Sequence, residues 1–170
     1  MMNMDKINKM LNPKKEKKKT EKEIFETAKP LPGKYTKGLS KKDKKEKTEN
    51  VKETKKLLRE GRKTAAYKKA SERPTSKSNK KSSYTIRFKK KFPNIKPESK
   101  EMAEATGIPL SVQKEVLKRG KGAFASAGSR ASVSSPRQWA VARLYAFYFK
   151  AIENKLDFDR DLEKKVKFKK

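Results

Sequence analysis

SSPRQWAVARLYAFYFKAI, residues 134–152, is the most apolar stretch of an otherwise lysine-rich chain. Ser135, Pro136 and Gln138 fit the N-cap, N1 and N3 positions of a capping box, with proline where a missing N–H costs nothing. The spacing predicts a helix over 136–153. Trp139, Ala142, Ala146, Phe149 and Ile152 fall on one stripe, and Leu144, Tyr145, Phe147 and Tyr148 cover much of the remainder. A helix apolar nearly all round is central to a domain or lies in an assembly contact. It is expected to be the central helix, with Phe124, Trp139, Ala142, Tyr145, Phe149 and Ile152 in the core.

Immediately upstream, RGKGAFASAGSRASV (119–133) departs from the lysine-dominated background. Gly120, Gly122 and Gly128 permit positive φ, and Ser126, Ser129, Ser132 and Ser134 can bond their own backbone, so a loop is expected. Two readings stay open. The loop is a tight connection whose arginines pair with nearby carboxylates or helix-end carbonyls. Alternatively, its N–H groups form a nest that grips an anion or an acidic partner, with Arg119, Lys121, Arg130, Arg137 and Arg143 around it. Four of the chain's 9 arginines fall within 119–143, where Lys121 is the only lysine, and arginine offers the planar fork that phosphate and carboxylate fit. A nucleotide phosphate loop is excluded by spacing: five residues separate Gly122 from Gly128, and no lysine precedes Ser129.

Working outward, YTIRF (84–88) alternates Tyr84, Ile86 and Phe88 with polar residues and predicts a short strand. KPESKEMAEATG (96–107) and PLSVQKEVLKRG (109–120) predict two short helices forming a hairpin, broken at Gly107-Ile108-Pro109. DFDRDLEKKVKFKK (157–170) predicts a last short helix. Asp157, Asp159 and Asp161 mimic the start of a calcium loop, but Leu162 and Phe168 stand where that loop needs glycine and glutamate. The three carboxylates are expected to cap the helix or offset lysines. Trp139, Tyr145, Tyr148 and Phe124 have the chemistry to stack nucleobases, although their helical spacing favours a core role.

The front of the chain has a different balance. Residues 1–83 hold 28 basic and 11 acidic side chains but only 15 large apolar ones, whereas residues 84–170 hold 21, 9 and 26. Too few apolar groups offset the entropy of ordering the first half alone, which is expected to take shape only against a partner. Residues 39–61 predict a helix, with Ser40 and Asp43 as a capping pair and Gly61 as the stop. Its stripe is only Val51, Leu57 and Leu58, so it needs a surface to lie on. A further short helix is expected over 64–72, and TSKSNKKSS (75–83) has linker composition. The expected architecture is mainly α. It has a basic extension (1–33), a basic helical arm with linker (34–83) and a compact helical domain (84–170).

With 49 basic against 20 acidic residues, the net charge of +29 opposes compaction and favours nucleic acid, acidic protein or an anionic membrane surface. The absence of cysteine and histidine excludes disulfides, thiolate and imidazole metal sites and histidine-dependent triads. No nucleophile has a visible base and no cofactor motif is present, so a non-enzymatic role is expected. The opening residues lack a secretory apolar run, and 140–149 is too short to span a bilayer; a soluble protein is expected.

Two blocks carry a resemblance. YTKGLSKKDKKEKTENVKETKKLLREGRKTAAYKKASERP and ATGIPLSVQKEVLKRGKGAFASAGSRASVSSPRQWAVARLYAF resemble a family of small basic proteins from large DNA viruses of algae and protists, of the phycodnavirus and mimivirus kind. The matching positions are Tyr35, Leu39–Lys45, Arg119–Phe124, Ser126, Gly128–Arg130, Trp139 and Ala142–Leu144, within residues 34–165. Gln138 and the C-terminal end depart from that pattern. The resemblance implies a virion setting and no catalytic residue. It leads to the expectation of a minor capsid protein whose basic arm ties acidic capsid subunits together; a DNA-packaging protein that contacts phosphates non-specifically is the alternative.

Overall fold

The computed structural model describes residues 31–76, 81–127 and 130–169. Eight helices and no strand occur among them: α1 (Gly33–Thr36), α2 (Lys41–Arg59), α3 (Lys63–Ser71), α4 (Ser83–Lys91), α5 (Lys100–Thr106), α6 (Leu110–Ala127), α7 (Pro136–Ile152) and α8 (Arg160–Glu163). The mainly α fold is as expected. The basic extension lies almost wholly outside the described residues.

Local chemistry sets most helix ends. Ser40 Oγ accepts from Asp43 N, and Ser135 Oγ accepts from Gln138 N, each at 3.1 Å. Gln138 Oε1 reaches back to Ser134 N and Oγ, closing the box one residue before the cap. Gly61, at φ +75°, ends α2. Gly107 ends α5 at φ +78°, and a Cβ there would lie 1.9 Å from Lys167 O, so only glycine lets the C-terminal segment pass. Lys169 N donates to Thr106 O in the same crossing.

Helix α7 is the centre of the fold. It packs most extensively on α6 and also against α4 and α3. Leu144, Tyr145, Phe147, Tyr148 and Phe149 are buried with Phe88, Met102, Ile108 and Val116. The rings of Phe88 and Tyr145 stack at 4.0 Å between centroids. The buried Gln113 locks the α5–α6 hairpin by accepting from Ser99 N and donating to Ser99 O and Ile108 O.

Two local expectations need correction. Residues 84–88 are helical, not a strand. Tyr84 and Phe88 stand four apart, so the alternating pattern doubles as a helical face; Tyr84 packs on the core, Phe88 is fully buried and Ile86 is 56% exposed. No second strand among the described residues offers a ladder. The loop expected from 119 is also helix, because α6 continues to Ala127. Gly120 is there for close approach rather than for positive φ: a Cβ at that position would lie 2.7 Å from Ala140 Cα on α7. Among smaller shifts, the last helix shortens to α8, and α5 starts only at Lys100, after its Ser99 cap.

Helices on either side of Ser83/Tyr84 share one compact unit, Leu31–Lys170. Helix α2 lies on α3 and α6 of the same chain. Thr54 Oγ1 donates to Ala125 O across the α2–α6 contact at 2.9 Å. Phe124, Ala125 and Ala70 are buried in a small second core, flanked by Leu58, Tyr67, Val133 and Trp139.

Candidate functional site

The arginines singled out by sequence have different fates. Arg119 binds Asp161 through both terminal nitrogens, at 2.8 and 2.7 Å, and Asp159 at 3.2 Å, with Glu115 on its Nε. Arg143 Nε donates to the other oxygen of Asp159 at 3.0 Å and overlies the Phe158 ring. Asp159, its side chain 4% exposed and its φ +52°, bridges the two guanidiniums. These carboxylates raise the Arg119 pKa further, and Arg119 holds the Asp161 carboxyl down to about 2. The DFDRD stretch is thus an internal clamp on arginine. No group of acidic side chains suited to holding a metal occurs among the described residues.

Arg137 is exposed and lies 3.7 Å from Glu98. Arg130 is exposed, and Lys121 is half-buried on α6. With α6 helical to Ala127, the N–H groups of 119–127 belong to the helix and form no nest. Of the expected core, Phe124, Tyr145 and Phe149 are buried; Trp139, Ala142 and Ile152 are only half-buried.

Arg130, Arg137 and Arg143 meet along one groove of about 1540 Å³. Its other cations come from separate segments. Lys34 lies in α1 and Lys37 follows it, Lys81 and Lys89 belong to the α4 region, Lys96 precedes α5, and Lys150 lies near the end of α7. No aspartate or glutamate lines it among the described residues. Trp139, Ile95, Val133, Val141 and Phe158 are half-buried along it, while Lys37, Lys81, Lys89, Lys96 and Arg130 are exposed. Cations therefore ring an apolar floor. Such an arrangement attracts a polyanion and offers its apolar parts a surface to lie on. Trp139 Nε1 is buried without a hydrogen-bond partner among the described residues.

A second cationic pair escaped the sequence reading. Arg73 is 4% exposed and donates to Phe124 O, Ala125 O, Asn50 Oδ1 and Thr54 Oγ1 at 2.6–2.8 Å. Burial lowers its pKa to about 10. Lys47 is fully buried, its Nζ has no partner among the described residues, and desolvation with the nearby Arg73 charge lowers its pKa to about 8. Nothing in the spacing of a lysine-rich helix marks Lys47 among its neighbours.

Among the described residues, the fold and groove define an all-helical basic protein with a cation-rimmed cleft that no carboxylate lines. The chain belongs to a family of unknown function, DUF5824, which it matches over residues 32–163. Searches of curated proteins and of solved structures found no match. No helix among the described residues is long and apolar enough to cross a membrane.

Proposed function

We propose that this chain is a non-enzymatic structural protein of a virus particle and that its groove holds the phosphate backbone of nucleic acid. The observation that carries the binding role is the lining itself, with nine cations drawn from separate segments and no carboxylate among the described residues. Arg137, Arg143 and Lys150 are paired with Glu98, Asp159 and Asp157, and the other six lining cations make no ion pair among the described residues. The charge facing the groove therefore stays positive. The viral setting rests on the sequence resemblance alone.

The test is binding of the full chain to labelled nucleic acid across a salt series. Lys81, Lys89, Lys96 and Arg130 are exposed and make no ion pair among the described residues, so replacing all four with glutamine should leave the fold intact. The quadruple variant should bind far more weakly, with a salt slope reduced by about 3 if each cation meets one phosphate. An unchanged affinity and slope would sink the proposal.

In the minor capsid reading, the exposed Arg130 and Lys96, which make no ion pair among the described residues, would meet an acidic capsid surface. Incorporation into DNA-free shells that survives high salt would support that role over the nucleic-acid one.

A further inference from the structure

We infer that the groove takes a single strand, with bases laid on Trp139 and phosphates on the exposed rim. The inference rests on the nucleic-acid reading of the same groove and narrows its ligand. A duplex presents its phosphates on a wide convex surface with the bases stacked inside, so an apolar floor adds nothing for it. A single strand carries exposed base faces beside its charges, and non-specific single-strand binders combine a basic groove with aromatic platforms.

Both parts are present. Trp139 lines the groove together with Arg130 and Arg143, with Phe158 and Tyr84 also in the lining. Lys81, Lys89 and Lys96 come from the α4 side, and Arg130 and Arg137 from the segment around the start of α7. Trp139 as a residue is only half-buried. Trp139 packs against the small core of Phe124 and Ala125 and lines the groove as well. An acidic peptide would satisfy the rim and leave this floor without a matching face.

The chain contains one tryptophan, so its emission reports on the groove directly. The full-length protein is titrated with an oligothymidylate, a duplex of equal length, heparin and polyglutamate. Stacking predicts quenching of Trp139 by the single strand and at least tenfold tighter binding than to the other three at about 150 mM salt. With five rim cations engaged, single-strand affinity should fall about 100-fold between 50 and 200 mM salt. Trp139→Leu should weaken single-strand binding about tenfold or more and leave heparin binding unchanged, with thermal unfolding as the folding control.

Duplex or heparin binding as tight as the single strand, or single-strand binding that leaves Trp139 emission unchanged, overturns the single-strand inference and leaves the phosphate-binding role standing. Polyglutamate binding as tight as the oligonucleotide overturns it in favour of an acidic protein partner. Binding that ignores the rim cations altogether defeats both readings.

Discussion

The Nη1 atom of Arg73 donates to the carbonyl oxygen of Phe124 at 2.6 Å, and its guanidinium overlies the Phe124 ring at 5.1 Å. One side chain from beyond α3 thus holds the last turns of α6 and the middle of α2 together. Replacing Arg73 with methionine would leave Phe124 O and Asn50 Oδ1 without this donor. The expected loss is about 3 kcal/mol by chemical denaturation. Arg73→Lys should recover little of it, because an ammonium cannot span four acceptors in a plane.

Lys47 should behave in the opposite sense. Its buried ammonium has no partner among the described residues, so Lys47→Met should raise stability by about 1–3 kcal/mol at pH 7. The folded pKa, about 8, lies below the ordinary 10.5. The unfolded chain therefore binds the proton more tightly, and the charge penalises the fold below pH 8. That penalty fades as pH rises from about 8 to 10.5, so the wild-type deficit relative to Lys47→Met should shrink across that window. A constant difference in denaturation free energy would contradict the assignment.

Two glycines of α6 should respond in opposite directions. Gly120 faces Ala140 Cα, where an added Cβ would sit 2.7 Å away, so Gly120→Ala should cost about 1–3 kcal/mol by forcing α6 from α7. Gly122 has nothing within 4 Å of that position. Gly122→Ala should stabilise by about 0.5–1 kcal/mol, the helix preference for alanine over glycine. Thermal melts of the two variants decide the matter.

The carboxylate clamp makes the fold sensitive to acid. Arg119 lowers the Asp161 pKa from 3.8 to about 2. A depressed carboxylate contributes its stability above the unfolded value and loses it as pH falls through the folded one. Stability should therefore drop between about pH 4 and 2, and Asp161→Asn should flatten part of that drop. Asp159→Asn keeps a residue tolerant of the left-handed φ but removes the shared charge, and should cost about 1–3 kcal/mol at neutral pH. Urea midpoints across pH measure both.

Much of the helical scaffold was legible in the chain because its signals are local. The Ser40 and Ser135 caps, the Gly61 and Gly107 stops and the apolar density of α7 each act within a few residues. Elsewhere one local pattern served two structures. Tyr84, Ile86 and Phe88 fit a strand as well as a helical face, and Gly120 fits a turn as well as a close helix crossing.

By itself, then, the sequence determined a mainly helical, strongly basic chain and where most of its helices begin and end, since capping and periodicity depend on neighbours along the backbone. Only the tertiary structure decided which charges are occupied and which are free. Arg73 meets Phe124 across 51 residues and Arg119 meets Asp161 across 42, and no local spacing encodes such pairings. Once those partners are taken, Lys81, Lys89, Lys96 and Arg130 remain around a groove that exists only because α4, α7 and the loops beside them pack together.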